Sequence, residues 1–350
     1  MAVQPTPAGP RRLLLIQLYH IGDVLLATPA LRAARRAWPD AHIAFLTGAG
    51  GAEALGANPH ADEVLVWRPG FREHLRMLRT LRRRGYDAVA DLHSKPHTAQ
   101  FTFVTGARIR AGVRGRGPRN LAYTHLVPRR RDAVYAVRQK LEVLRPLGLD
   151  PDVVDDLAPE IAIAPGDREW AAGVWRDLGL EGDAPVAAVS AVARMNYKQW
   201  GATRWAEVAD RLVRANFRVL LTAGPGERAQ VEAVAAAMRE RAVLELPPTT
   251  LPRLAALYER CAVWVGNDGG PKHVAAAAGT PTVSVGRWRF SAIWNDLRPG
   301  SRQYAIDRAP AGGCDRNCGR CKHLGCLAAV QPVEVAALAL EVARPGAGGT

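Results

Sequence analysis

The stretch RLLLIQLYHIGDVLLATPALRAARRAW, from Arg12 to Trp38, decides the fold. Arg12–Leu18 is a mainly apolar run bounded by turn residues, which suits a strand buried on both faces. The short turn Tyr19–Gly22 leads into apolar residues at helical spacing: Val24, Leu25, Ala27, Leu31 and Ala34. Asp23 heads this helix, where an acidic residue serves as N-cap or first-turn residue. A buried strand feeding a helix through a tight turn is the opening of a βαβ alternation.

The alternation continues outward. Strands are expected at His42–Thr47, Glu63–Trp67 and Asp87–Asp91, and helices at Ala52–Ala57, Phe71–Arg84 and Thr98–Thr105. Residues 108–131 read as an Arg-rich strand-and-loop region, closed by a helix at Val134–Leu147. Residues 148–165 are acidic and Pro-rich, a linker running into a new strand. Beyond it, strands are expected at Val186–Ser190, Arg218–Thr222, Ala242–Glu245, Ala262–Val265 and Thr282–Val285. The matching helices are Thr203–Ala215, Arg228–Arg239, Leu251–Arg260, Pro271–Ala278 and Pro332–Val342. The fold class is therefore α/β, two Rossmann-like units with parallel sheets, at 11–150 and 166–343, joined by a linker at 151–165 and flanked by disordered tails at 1–10 and 344–350.

Composition bounds the function. The 350 residues suggest two domains at about 150 residues each. Hydrophobic residues at 48% and charged ones at 23% exclude a disordered chain. Five Cys are too few for a disulfide scaffold. No apolar stretch reaches bilayer length, and MAVQPTPAGP lacks a secretory pattern, so a cytoplasmic protein is expected. Charge is lopsided: residues 1–150 hold 24 Lys and Arg against 11 Asp and Glu, and residues 151–350 hold 23 against 22. The first half should therefore meet an anionic partner that the second does not. The preference for Arg over Lys fits a GC-rich genome first, and bidentate anion contact second.

Three loops fall where strands end and helices begin, the edge at which open α/β sheets bind ligands. The first is His20-Ile21-Gly22-Asp23. Gly22 permits close backbone approach, and Asp23 is either a helix cap or a general base for a hydroxyl nucleophile. The second is Gly266-Asn267-Asp268-Gly269-Gly270-Pro271-Lys272-His273. Its free N–H groups and helix dipole suit a diphosphate, to which Lys272 and His273 add charge and hydrogen bonds. The third is Ser190–Trp200, whose Lys198 either is solvated or neutralises a leaving phosphate.

Other features compete. Gly224-Pro225-Gly226-Glu227-Arg228-Ala229, with Glu245 beyond it, formally matches a dinucleotide fingerprint, which would make a nicotinamide oxidoreductase. Pro225 removes a donor there, and the motif lies in the wrong βα unit. The helix at 71–84 carries Arg72, Arg76, Arg79, Arg82, Arg83 and Arg84, with Phe71, Leu75, Leu78 and Leu81 on one face. It is either a solvated outer helix or one that lies on anionic lipid. No nucleic-acid fold signature accompanies the basic residues. Cys314, Cys318, Cys321 and Cys326, with His323, admit a structural zinc, an iron–sulfur group or reduced thiols, whereas Cys261 reads as core.

Several motifs, in order, carry a resemblance. LLLIQLYHIGDVLLATPALRAARRAWPDAHI resembles the opening of the bacterial ADP-heptose:lipopolysaccharide heptosyltransferases, glycosyltransferase family 9. DLHSKPHTAQFTFVTGARIRAGV resembles the family's middle segment, KQWGATRWAEVADRL its Lys-x-Trp loop, and GNDGGPKHVAAAAGTPTVSV its second half. The resemblance spans about residues 11–343. It implies the GT-B architecture, two Rossmann-like domains facing a cleft, and inverting transfer of heptose from ADP-heptose to an anionic lipopolysaccharide inner-core acceptor without a catalytic metal.

By the same resemblance Asp23 is the general base and Lys198 contacts the donor diphosphate. Asp268, Gly269, Gly270 and His273 bind diphosphate and sugar, Glu227 the ribose, and Thr249 lies near adenine. The basic half would meet the acceptor through Gln17, His20, Gly22, His93, Lys95, Arg116 and Arg119. Gln17 and His20 depart from the family, which usually has Arg or Lys and Ser or Ala there. A monomer peripheral to the inner face of the inner membrane is expected, closing by hinge motion near 148–165.

Overall fold

The computed structural model describes residues 9–130, 134–244, 246–314, 321 and 324–344. Most of both expected tails, residues 1–8 and 345–350, lies outside the described residues, as do Glu245, Cys318 and His323. The chain divides into two compact units, Met1–Ala162 and Ile163–Thr350.

In the first unit the elements are β1 Arg12–Ile16, α1 Ile21–Leu25, α2 Thr28–Ala37, β2 His42–Thr47, α3 Ala49–Leu55, β3 Glu63–Val66, α4 Phe71–Arg83, β4 Ala88–Asp91, α5 Pro96–Val104, β5 Ile109–Val113, β6 His125–Val127 and α6 Ala136–Glu142. The six strands form a parallel sheet in the order β3-β2-β1-β4-β5-β6. That is the Rossmann order, in which the direction of winding reverses between the first and fourth strands. Leu13, Leu14, Leu15 and Ile16 have no exposure, as expected for a strand with helices on both faces.

The second unit holds α7 Pro165–Asp177, β7 Val186–Ser190, α8 Ala202–Arg214, β8 Arg218–Leu221, α9 Arg228–Ala237, α10 Leu251–Glu259, β9 Val263–Asn267, α11 Gly270–Ala277, β10 Thr282–Val285, α12 Ser291–Trp294, β11 Gln303–Ile306, α13 Gly325–Ala328 and α14 Pro332–Val342. Its sheet is also parallel, ordered β11-β10-β9-β7-β8. Counted within the unit this is the flavodoxin-like order, with its reversal between β7 and β9. Trp200, Trp205 and Trp264 are the largest fully buried side chains.

Several elements differ from the sequence reading. The helix after Asp23 is broken into α1 and α2, because Pro29 has no N–H to offer the Leu25 carbonyl; the Thr28 hydroxyl donates to it instead at 2.7 Å. The residue capping α1 is His20, and Asp23 sits in the first turn. The strand expected at the end of the linker does not form. Arg32 of α2 holds the segment with ion pairs to Asp156 at 2.9 Å and Glu160 at 2.6 Å, and the Glu160 N–H donates to Thr28 Oγ1 at 2.9 Å. Leu157 and Ile161 are buried, so 156–161 packs onto the first unit.

The helix α7 is an addition to the expected elements: Ala171, Val174 and Trp175 recur at helical spacing and are buried. Among the described residues, 242–244, the strand expected at Ala242–Glu245 makes one parallel bridge, Leu220 with Val243; Pro247 and Pro248, which cannot donate, follow. The helix expected at Val134–Leu147 is the shorter α6 followed by a 3-10 turn at Arg145–Leu147. On α4 the buried residues are Met77 and Leu81, whereas Phe71 is 79% exposed. No helix among the described residues is long and apolar enough to cross a membrane.

Candidate active site at two switch points

Each sheet reverses direction once, and crevices outside the carboxyl ends of strands at such a point are where α/β proteins bind ligands. In the first unit the strands concerned are β1 and β4. The turn after β1 holds Gln17 to Asp23. His20 adopts φ 63°, a left-handed conformation uncommon for a residue with a Cβ. Its carbonyl accepts from Val24 N–H at 3.1 Å, which starts α1 and leaves the His20 ring exposed. Gly22 is buried, and the half-buried Asp23 follows it.

Asp91 ends β4 with no exposure. Its Oδ1 accepts from the backbone N–H of His93 at 3.0 Å and Ser94 at 2.8 Å, and its Oδ2 from the Tyr123 hydroxyl at 2.7 Å. Burial pushes its carboxyl pKa up, and these donors oppose the shift. His93 is pushed down to about 4 by burial and by the cations of Lys140 and Lys95, so its ring is neutral. Its Nδ1 is buried without a hydrogen-bond partner.

Of the expected acceptor residues, His20, Gly22, His93 and Lys95 thus occupy this strand edge. Gln17 is buried, and its Oε1 accepts from Lys140 Nζ at 2.6 Å. Arg119 packs on Gly115 in the β5–β6 connection and acts electrostatically on Tyr123; Arg116 is exposed on the same loop. Lys140, Asp91 and Tyr123 did not emerge from sequence. Lys140 carried a signal, because it stands beside Val137 and Leu141 at buried positions of α6.

In the second unit the switch point lies between β7 and β9. Lys198 sits in a 3-10 turn after β7, and its Nζ donates to the Asp268 carbonyl at 2.9 Å and reaches Oδ2 at 3.4 Å. Lys272 Nζ lies 2.6 Å from Asp268 Oδ1 and 2.9 Å from the Trp294 carbonyl, with no exposure. Burial pushes the Asp268 pKa up, but Lys272 and Lys198 outweigh it and hold the carboxyl well below the usual range. His273 is kept neutral by burial and by Lys272, and its Nδ1 has no partner.

Pro271 occupies the first turn of α11, as its fixed φ favours. The glycines here have separate duties. A Cβ on Gly266 would stand 2.4 Å from the Ser190 carbonyl, so β9 and β7 need glycine to pack. A Cβ on Gly270 would meet nothing within 4 Å. No side chain caps α11, and the space beside Gly270 is open, so the helix start turns its positive dipole end to a place an anion can reach.

Glu227 caps the next edge, after β8, its Oε2 accepting from Gly224 N–H at 2.8 Å. Thr249 is exposed just before α10. Among the cysteines, Cys314 and Cys321 are exposed and Cys326 is buried, while Cys261 is buried as expected. No group of three or more His, Cys, Asp or Glu that could hold a metal occurs among the described residues.

The model of glycosyltransferase family 9 (heptosyltransferase) matches residues 74–287, more than half of the chain. Lipopolysaccharide heptosyltransferase 3 of Escherichia coli K12 is 28% identical over 286 residues, which is 76% of this chain and 79% of that protein. Among solved structures, a family 9 glycosyltransferase from Veillonella parvula has a TM-score of 0.76 at 24% identity, covering 85% of each chain. The E. coli heptosyltransferase WaaC with ADP has a TM-score of 0.70 at 21% identity, covering 95% of this chain and 99% of that one.

Two tandem Rossmann-like units of parallel strands are the GT-B class of glycosyltransferase. Within that class, the chain belongs to glycosyltransferase family 9, the heptosyltransferases.

Proposed function

We propose that this enzyme transfers heptose from ADP-heptose to an anionic inner-core or related glycan of lipopolysaccharide, with inversion. The relatives' names support donor and acceptor class: one is a lipopolysaccharide heptosyltransferase, and another was solved with ADP. The observation that carries the chemistry is the convergence of Lys198, Asp268 and His273 on the open N-terminus of α11. A diphosphate there meets backbone N–H groups, the helix dipole and the half-exposed Lys198 ammonium. Lys272 is buried on Asp268, so its part is to fix that carboxylate rather than to touch the donor.

In the first unit Asp23 takes the proton of the acceptor hydroxyl as its oxygen bonds to the anomeric carbon. The bond from that carbon to the diphosphate oxygen breaks, and ADP leaves with the electron pair. His20, Gly22, His93, Lys95, Arg116 and Arg119 form the acceptor side. Glu227 and Thr249 serve the nucleoside of the donor.

The enzyme docks on the cytoplasmic face of the inner membrane through α4. A groove of about 610 Å³ along that helix is lined by Arg72, Arg76, Arg79, Arg83 and Arg84, and Phe71 stands exposed at its start. Basic side chains beside an exposed aromatic suit an anionic lipid surface. The deciding experiment offers ADP-heptose and uridine-diphosphate sugars with heptose-deficient lipopolysaccharide and follows products by mass spectrometry. Addition of one heptose from the ADP donor is expected; transfer only from uridine donors would overturn the donor assignment.

A further inference from the structure

The loop after β10 carries a cation that the proposed chemistry leaves unused. Arg287 is the second residue beyond that strand and is half-buried. Its guanidinium carbon lies 4.1 Å from the centre of the Phe290 ring and 4.8 Å from that of the Tyr197 ring. A guanidinium stacked on aromatic faces keeps its N–H edge for hydrogen bonds in its own plane. Among the described residues, no carboxylate or other acceptor meets that edge. Two carboxylates on the neighbouring loops are already engaged, Asp268 by Lys198 and Lys272, and Asp296 by Arg298. A guanidinium held in one orientation with its donors unspent is prepared for an anion.

Its place says which anion. Val285 pairs in register with Asn267, so the ends of β10 and β9 release Arg287 and the Asp268 loop side by side. The Asp268 N–H donates to the Val285 carbonyl at 3.3 Å. Tyr197 precedes Lys198 in the same 3-10 turn. Trp294, farther along the Arg287 loop, offers its ring to Lys198 Nζ at 5.9 Å and its carbonyl to Lys272 Nζ at 2.9 Å. The loop that holds Arg287 thus borders the start of α11. Along the sheet edge the order is β8, β7, β9, β10, which carry in turn Glu227, Lys198, the start of α11 and Arg287. A nucleotide laid with its ribose at Glu227 meets Arg287 last, past its first phosphate.

We propose that Arg287 binds the distal, sugar-bearing phosphate of the donor through the N–H edge of its guanidinium, which Tyr197 and Phe290 hold in place. This rests on the reading of the second unit as the ADP-heptose site. When the bond from the anomeric carbon to the phosphate oxygen breaks, negative charge grows on that phosphate, and a fixed cation there stabilises it.

The test is calorimetric titration of wild type and Arg287→Gln with ADP and with AMP. AMP lacks the distal phosphate, so the ratio of the two dissociation constants separates that group from the nucleoside and from general damage to the loop. Wild type is expected to bind ADP more tightly than AMP. Arg287→Gln is expected to lose about tenfold in ADP affinity and to keep its AMP affinity. A preference for ADP that Arg287→Gln retains in full overturns the proposal and leaves the stack as packing between two loops. Equal affinity of the wild type for ADP and AMP overturns it as well. If Arg287→Gln does not fold, Arg287→Met, which keeps an unbranched stem against the two rings, is read in the same way. A wild-type protein that binds neither nucleotide would instead sink the donor reading itself.

Discussion

Lys272 and Asp268 form an ion pair of 2.6 Å from which solvent is excluded, whereas Lys198 reaches the same carboxylate from a position that remains 23% exposed. The two lysines are chemically alike and structurally opposite. One is sealed inside the loop; the other keeps part of its side chain in solvent.

Lys272→Ala should therefore destabilise the protein by about 3–5 kcal/mol, because it strands a buried carboxylate. Lys198→Ala should leave stability nearly unchanged and weaken ADP binding. Thermal denaturation and calorimetric titration with ADP, run on both variants, separate the two roles.

Glycines at 266 and 270 give a second contrast. Gly266→Ala forces a methyl against the Ser190 carbonyl and should cost about 1–3 kcal/mol. Gly270→Ala meets open space and should leave the melting temperature unchanged or higher, while weakening ADP binding about tenfold. Wild-type ADP affinity in Gly270→Ala would place the diphosphate elsewhere.

His93 makes stability depend on pH. Its ordinary pKa is near 6.5 and its folded value is about 4. Above pH 6.5 neither state binds the proton; as pH falls from 6.5 towards 4 the unfolded chain takes it up first, and stability is lost. Urea unfolding across this window should show a shallower decline in His93→Gln than in wild type. NMR titration of the imidazole should find it neutral down to about pH 4.

Membrane docking through α4 predicts that the protein sediments with vesicles containing anionic lipid and is released by salt. Replacing Arg72 and Arg79 by Gln should weaken this about thirtyfold, from about 1 kcal/mol per Arg near an anionic surface. Equal binding to neutral vesicles would contradict the docking.

The parts legible in sequence were those written in local pattern. The buried run at Arg12–Leu18 and the glycine-rich turn before Pro271 place two switch-point loops, and Lys198 was marked by the rarity of lysine and its place after a strand. What stayed hidden was tertiary. Whether Lys272 or Lys198 faces solvent depends on Trp294, whose carbonyl takes the Lys272 ammonium from 22 residues away. The acidic, Pro-rich stretch at 148–165 reads as a linker, yet its carboxylates Asp156 and Glu160 are partners of Arg32, more than 120 residues earlier. Lys140 and Gln17 meet across 123 residues, and neither reveals the other. Spacing puts Phe71, Leu75, Leu78 and Leu81 on one face of α4 but does not say how much of that face is covered; of these only Leu81 is buried.

In the proposed transfer from a nucleotide donor, Asp23 is the base that takes the acceptor's proton. The most direct measurement is heptose transfer by Asp23→Asn, followed by mass spectrometry, alongside ADP calorimetry on the same sample. Transfer reduced by about a hundredfold or more, with ADP binding at the wild-type level, is the predicted result. Transfer within a few-fold of wild type would contradict it.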